Sequence, residues 1–432
     1  MSRTNKTDRT NKGGQADSES RPSVGERSTD GPLLDVEDLQ VRFDTAEETV
    51  HAVNGVNLHL DRNETLGIVG ESGSGKSVTA LSLLGLLEDA ATVEGRVTFD
   101  GSNLLEKSEA KLEAIRGSRI SMVFQDPGSS LNPVLKIGDQ ISETIRTHRA
   151  PSGENISWLE ESVLGNLFRR KDSFTKFEES WQQTVELLDR VGIPVPDQRA
   201  LEYPHEFSGG MKQRALIAIA ISCQPDVLIC DEPTTALDVT IEAQILELIN
   251  ELQREVGTAV LFITHDMGVI RKMCDRVAVM YAGNVIEQAR TEALFEHAKH
   301  PYTNALLDSM PRLNQRSALD PIDGRVPDLT SEPTGCPFGP RCAYENDACN
   351  ESFPPGYAAG PDASPVPIRH ADDDVERVQT PPPQHAESDC VIEDDGHRAH
   401  CVLYGDTDYL TTTESVEGLP DEIRPARGGE DE

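Results

Sequence analysis

The 432-residue sequence contains no run of 18 or more apolar residues, so no segment is expected to cross a bilayer as a helix. Residues 1–31 are polar, lack the apolar stretch that a secretory signal needs, and are expected to form a disordered tail. Basic residues are scarce. Lys and Arg number 40 against 75 Asp and Glu, a formal net charge of −35, and that balance argues against nucleic acid as a partner, which needs a basic face. No internal repeat is visible, and none of the 8 cysteines forms the short C-x2-C pair of a zinc ribbon. Cys223, Cys230 and Cys274 lie in apolar surroundings and the other five follow residue 335. In a reducing cytosol the late group points to metal binding before disulfides. The length allows about two or three domains with ample core.

One stretch organises the rest. Gly70-Glu71-Ser72-Gly73-Ser74-Gly75-Lys76-Ser77 follows the apolar run Thr65–Val69, expected as a buried strand, and precedes Val78–Leu87, expected as a helix. Strand, glycine-rich loop and helix start are the setting in which G-x-x-x-x-G-K-[ST] makes a phosphate cradle. Glycines let backbone amides converge on an anion, and the helix N-terminus adds unpaired N–H groups. Lys76 supplies a cation for the β- and γ-phosphates, and the Ser77 hydroxyl can ligate Mg²⁺. ATP and Mg²⁺ are the cofactors this implies, with Gly70, Ser72, Gly73, Gly75, Lys76, Ser77 and Val78 at the nucleotide.

Elsewhere, Leu33–Phe43, Val50–Leu60 and Arg96–Phe99 suggest strands of an antiparallel β layer, and Arg119–Phe124 a further apolar strand. Helical spacing marks 137–147, 179–192, Met211–Cys223 and Ile241–Arg254, whereas 150–177 reads as an irregular insertion. Val227–Cys230 and Ala259–Ile263 are unbroken apolar strands. Strands alternating with helices imply a mostly parallel α/β sheet. Residues 301–405 lose the periodicity and gain Pro, Gly and Cys, which marks a small second domain, and 406–432 form an acidic tail.

Four constellations could serve a nucleotide held on the loop. Asp231 and Glu232 end a buried strand, where the first could hold Mg²⁺ through water and the second could polarise an attacking water. Gln125, also at a strand end, could sense Mg²⁺ and that water. His265 follows a buried strand and could reach the γ-phosphate from the same sheet edge. Ser208-Gly209-Gly210 precedes a helix and offers a hydroxyl, bare amides and a helix N-terminus.

Together and in order, these pieces resemble the ATP-binding subunit of ABC transporters over about residues 32–300. Gly70–Ser77 is similar to that family's Walker A loop, Gln125 to its Q-loop, Phe207–Met211 to its signature, Val227–Glu232 to Walker B, Ala236-Leu237-Asp238 to the D-loop and His265 to the switch histidine. Phe43 is the expected adenine-stacking aromatic. The resemblance implies a P-loop (RecA-like) α/β core with an antiparallel β layer, a helical subdomain at about 126–214 and a small cysteine-containing C-terminal domain. It also implies ATP sandwiched between two subunits, with Glu232 as base. The partners would be a second, related ATPase subunit, two membrane permease subunits and an extracellular solute-binding protein, with this chain on the cytoplasmic face of the membrane.

Phe124–Pro133, Tyr203–Met211, His300-Pro-Tyr-Thr303 and Gly335–Cys342 further resemble the oligopeptide/dipeptide importer group. Relatives there also import nickel, and soluble ABC ATPases that act on DNA or ribosomes are the rival class. Cys336, Cys342 and Cys349, with Cys390 or Cys401 beyond, could hold zinc or an iron–sulfur cluster. The resemblance implies [4Fe–4S] with Cys401 as the fourth ligand; zinc ranks second and free thiols third. The spread of acidic residues, with Arg outnumbering Lys, resembles proteins of salt-loving organisms and suggests a halophilic archaeon.

Overall fold

The computed structural model describes residues 31–45, 48–88, 90–149, 171–235, 237–310, 322, 324–330, 334–345, 347–351, 353–354, 357–358 and 397–401. The expected tails at 1–31 (apart from Gly31) and 406–432, most of the insertion at 150–177, Ala236 and Cys390 lie outside the described residues.

Two sheets carry the fold. The first is antiparallel, with β1 (Leu34–Asp44), β2 (Thr49–Leu60), β4 (Ala91–Phe99) and β5 (Ser102–Asn103) in the order β2-β1-β4-β5. The second is built from β3 (Thr65–Val69), β6 (Ile120–Val123), β7 (Val227–Asp231), β8 (Ala259–Thr264), β9 (Arg276–Tyr281), β10 (Asn284–Arg290), β11 (Tyr357–Ala358) and β12 (Arg398–Ala399). Its order is β11-β12-β10-β9-β3-β8-β7-β6. Pairing is parallel from β9 through β6 and antiparallel from β9 outward to β11.

The parallel strands are unbroken apolar runs because both of their faces are covered. In β7, Leu228 and Cys230 face a cluster of helical side chains, whereas Val227 and Ile229 face the antiparallel sheet. Strand β8 divides the same way, with Val260 and Phe262 on one side and Leu261 and Ile263 on the other. Helices Ile137–Arg149, Lys171–Arg190, Gly209–Ile221 and Val239–Val256 supply the helical side.

Local expectations and structure differ at two places. The helix after the glycine-rich loop spans Lys76–Leu83 and stops short of Leu87, because Gly85 adopts a left-handed φ of 60° and the Leu84 and Leu86 amides both turn back to the Leu81 carbonyl. The insertion is helical from Lys171 onward, as no Gly or Pro interrupts 171–190.

The cysteine-bearing segment docks on this core. Strand β12 extends the large sheet beside β10, and the His400 amide donates to the Ile286 carbonyl. Phe338 is 3% exposed and enters the helical-side cluster, with its ring centroid 5.4 Å from Tyr281 and 5.3 Å from Tyr302. Glu287, fully buried, accepts from the Lys299 and His300 amides and meets the His397 imidazole at 2.7 Å. Docking of this kind should register in stability. Phe338→Ala should cost about 3 kcal/mol in urea unfolding and speed alkylation of the Cys336 and Cys342 thiols; unchanged values for both would show that the ring does not anchor the segment.

Candidate functional site

The carboxyl ends of β3, β8, β7 and β6 lie side by side, since Val69 pairs with Thr264, Ile263 with Asp231 and Cys230 with Val123. Each strand delivers a candidate site residue to this edge, where open parallel sheets bind ligands.

After β3 the chain enters the glycine-rich loop. Gly75 caps the following helix with φ 97°, and a Cβ there would stand 2.5 Å from the Ala52 carbonyl oxygen. A Cβ on Gly70 would stand 2.1 Å from the Met280 carbonyl oxygen. The loop is therefore wedged between β2 and β9 with no room for side chains at either place. No side chain caps the helix Lys76–Leu83 and its first turn holds no acid, so the N-terminal amides have no competing internal anion. The Lys76 ammonium donates to the Gly70 and Glu71 carbonyls, both at 2.8 Å, and to Ser74 Oγ at 3.4 Å. Burial lowers its pKa, against the opposing pull of Glu232, Asp231 and Glu71.

Facing the loop, Asp231 accepts a 3.1 Å hydrogen bond from the Ser77 hydroxyl. Burial holds the Asp231 carboxyl above its ordinary pKa, partly countered by Ser77. A divalent cation at these two oxygens would relieve that penalty, so the pair fits the Mg²⁺ role.

Glu232 has a left-handed φ of 44° and donates its amide to the Ile263 carbonyl at 2.9 Å. That conformation is costly for a residue with a Cβ and turns the carboxylate out of the strand. Three side chains hold it there. Gln125 Nε2 donates to Oε2 at 2.9 Å, the Thr235 hydroxyl donates to the same oxygen at 2.8 Å, and His265 Nδ1 lies 3.2 Å from Oε1. Burial raises the Glu232 pKa, but the bonds from Thr235 and His265 outweigh it and leave the carboxyl below its usual range. The Glu232 side chain is 15% exposed and that of His265 62%, so the carboxylate is sheltered while the imidazole stands at the mouth. Gln125 and His265 are each followed by an aspartate, Asp126 or Asp266, that caps the next helix through the Gly128 or Gly268 amide and holds the turn.

The structure thus joins Lys76, Ser77, Asp231, Glu232, Gln125 and His265. Thr235 was missed in the sequence; its signal was a hydroxyl three residues beyond a strand-end carboxylate. Ser208, Gly209 and Gly210 have other partners. Ser208 caps the helix Gly209–Ile221 by accepting from the Met211 amide, and the glycines lie against Leu237 and Ile241. Asp238 caps the helix Val239–Val256 through the Thr240 and Ile241 amides. Phe43 is at the end of β1, paired with Val50 and Ala91, and packs on the antiparallel-sheet cluster. Cys336, Cys342, Cys349 and Cys401 line one recess with His300 and Tyr344. Among the described residues, no three His, Cys, Asp or Glu side chains converge on a single ion position.

A family model described as ABC transporter matches residues 53–235, and one described as oligopeptide/dipeptide transporter, C-terminal region, matches residues 286–349. The oligopeptide transport ATP-binding protein OppD of Haemophilus influenzae is 48% identical over 319 residues, covering 74% of this chain and 91% of its own length. The dipeptide transport ATP-binding protein DppD of Bacillus subtilis is 46% identical over 325 residues, covering 74% and 90%. The ATP-binding cassette MJ0796, solved as a dimer bound to ADP and phosphate, superposes with a TM-score of 0.50 at 25% identity, covering 60% of this chain and 99% of that one.

Glu232→Gln should keep ATP binding and lower turnover by about a hundred-fold or more, as for loss of a general base; hydrolysis within a few-fold of wild type would remove Glu232 from that role. Lys76→Ala should weaken ATP binding itself, measured by equilibrium binding of Mg-ATP to the full chain.

Proposed function

Because the chain belongs to the oligopeptide/dipeptide type of ABC transporter ATP-binding subunits, we propose that the ATP it hydrolyses drives import of di- or oligopeptides across a membrane. The observation that carries the catalytic part is the Glu232 carboxylate, held by Gln125, Thr235 and His265 beside the Asp231–Ser77 pair. The peptide class is supported by the names of the relatives and by the match of the C-terminal region.

In this reading the phosphates lie against the amides of Gly70–Val78, and Lys76 leaves the Gly70 and Glu71 carbonyls to meet them. Ser77 and Asp231 would hold Mg²⁺, with Gln125 as a further ligand; the ion neutralises phosphate charge. Glu232, kept ionised, accepts the proton of the attacking water, and His265 at the mouth stabilises the γ-phosphate. Phe43 stacks on adenine.

Among the described residues, no hydrogen bond joins Ser208, Gly209 or Gly210 to the Glu232 cluster. Their role is to complete a nucleotide site on a second ATPase subunit, with Asp238 at the same junction. No helix among the described residues is long and apolar enough to cross a membrane. By the likeness to the importer group, the chain would act from the cytoplasmic face on two permease subunits fed by an extracellular solute-binding protein. The acidic excess, −35 in formal charge, supports operation in strong salt.

The four-cysteine recess is proposed to hold a [4Fe–4S] cluster on Cys336, Cys342, Cys349 and Cys401. What supports a metal centre is the donor set, four thiols on one recess, which suits iron–sulfur and zinc alike; the family resemblance favours the cluster. Burial pushes the Cys336 thiol up to about 11 and Cys342 to about 12. A cationic centre would reverse that by favouring thiolate.

Reconstitution with the permease subunits tests the function: ATP turnover should rise when peptide-loaded binding protein is added. Co-purification with nucleic acid and no permease would defeat it. Ser208→Arg should block turnover yet leave binding at this chain's own loop intact, and full turnover by a proven monomer would end the composite-site proposal. Anaerobic preparations should be brown, with iron and acid-labile sulfide in equal amounts, and Cys342→Ser should lose the colour. Stoichiometric zinc in a colourless protein would replace the cluster with a zinc site.

A further inference from the structure

The glycine-rich loop is held from outside the ATPase core. Glu71, the second residue of the loop, is gripped by Arg341, which lies in the C-terminal segment just before Cys342. Arg341 Nη1 donates to Glu71 Oε2 at 2.8 Å and Nη2 to Oε1 at 3.3 Å, so the guanidinium fork meets both carboxylate oxygens. Nη1 also donates to the Tyr281 hydroxyl at 3.1 Å and Nη2 to the Ile322 carbonyl at 3.0 Å. The Arg341 side chain is 5% exposed and that of Glu71 26%. The guanidinium lies 5.7 Å from the Tyr281 ring centroid and 5.9 Å from that of Phe338.

Backbone bonds carry the grip onward. The Glu71 amide donates to the Tyr302 hydroxyl at 2.9 Å, and the Glu71 carbonyl accepts from Lys76 Nζ at 2.8 Å and from the Ser74 amide at 3.2 Å. Side chain, amide and carbonyl of one loop residue are thereby all engaged, and the last of them carries the ammonium of Lys76.

We propose that Arg341, with Tyr302, is a positioning residue of the nucleotide site: it holds Glu71 so that the backbone of the phosphate loop is set before ATP arrives, making ATP affinity depend on the docked C-terminal segment. The proposal rests on the reading of Gly70–Ser77 as the phosphate cradle. A loop already ordered loses less conformational freedom on binding. Removing either partner loses a two-pronged, charge-assisted contact to the loop, so the loop should move.

The test is equilibrium binding of Mg-ATP to the full chain, with steady-state kinetics in the assembled transporter. Glu71→Gln, Arg341→Met, their double variant and Arg341→Lys are compared. Each of the first two should weaken Mg-ATP binding by about five- to ten-fold, the cost of ordering one or two loop side chains. The double variant should be no weaker than the worse single, because one interaction is lost in all three. Arg341→Lys should recover part of the affinity, and in the Arg341 variants the loss should fall on KM for ATP more than on kcat.

A merely structural staple would lower the folded yield but leave the affinity of the folded fraction unchanged. If Arg341→Met does not fold, Glu71→Gln, nearly isosteric, still decides. Affinity within about two-fold of wild type in Glu71→Gln, or additive losses in the double variant, would overturn the proposal. Lys76→Ala separates the two layers. If it retains Mg-ATP affinity, the cradle reading falls and this proposal with it; if it loses affinity while Glu71→Gln does not, only the Arg341 role fails.

Discussion

The structure depends on how it accommodates one buried cation. Lys76 sits at the first turn of a helix whose amide dipoles already present positive charge, in a place with little water. Nothing would keep an ammonium there unless oxygens surrounded it. They are the Gly70 and Glu71 carbonyls and Ser74 Oγ, with the Asp231 and Glu232 carboxylates across the cleft. The wedged glycines bring the carbonyls into place, the parallel sheet brings the carboxylates, and the apolar clusters on its two faces keep the strand ends in register. A triphosphate would substitute its own oxygens for those carbonyls, so the resting site is already shaped for an anion.

The second carboxylate is managed differently. Glu232 leaves the strand through a left-handed residue and is then fixed by donors from three other points of the chain. Asp231 remains in line with β7 and shares the proton of Ser77. Adjacent residues of one chemical type thus acquire opposite tendencies: Asp231 is biased toward protonation when no cation is present, and Glu232 toward the ionised form. Environment, more than residue identity, gives two neighbouring carboxyls opposite tendencies.

Much of this was legible in the sequence because it is local. The phosphate loop announces itself by glycine spacing between an apolar strand and a helix. The strands bearing Asp231 and His265 are continuous apolar runs that only a doubly covered sheet would bury. What was not legible is long-range. Gln125 and Glu232 are 107 positions apart, and Arg341 and Glu71 270 positions apart, with no periodicity to link them. Residues 301–405 lose the apolar period in the sequence, and beyond the helix Pro301–Asp308 the described ones give single side chains, such as Phe338, to a core built by other elements. The start of the helix Lys171–Arg190 was hidden by its polarity, which suits a helix that offers only part of its surface to the interior.

The late strand has a consequence for how such a chain is made. β10 is an edge of the large sheet until β12 joins it, and the closing contact, His397 with Glu287, spans 110 positions. A ribosome would release β10 well before the residues that cover it, so the emerging core carries an open edge during synthesis, the condition in which strands from neighbouring chains pair. The pairing that finally closes that edge is brief, only Glu287 with Ala399 and Gln288 with Arg398. Its hold therefore comes from the buried carboxylate and from the recess beside it more than from the ladder, and completion of biogenesis is coupled to residues 397–401.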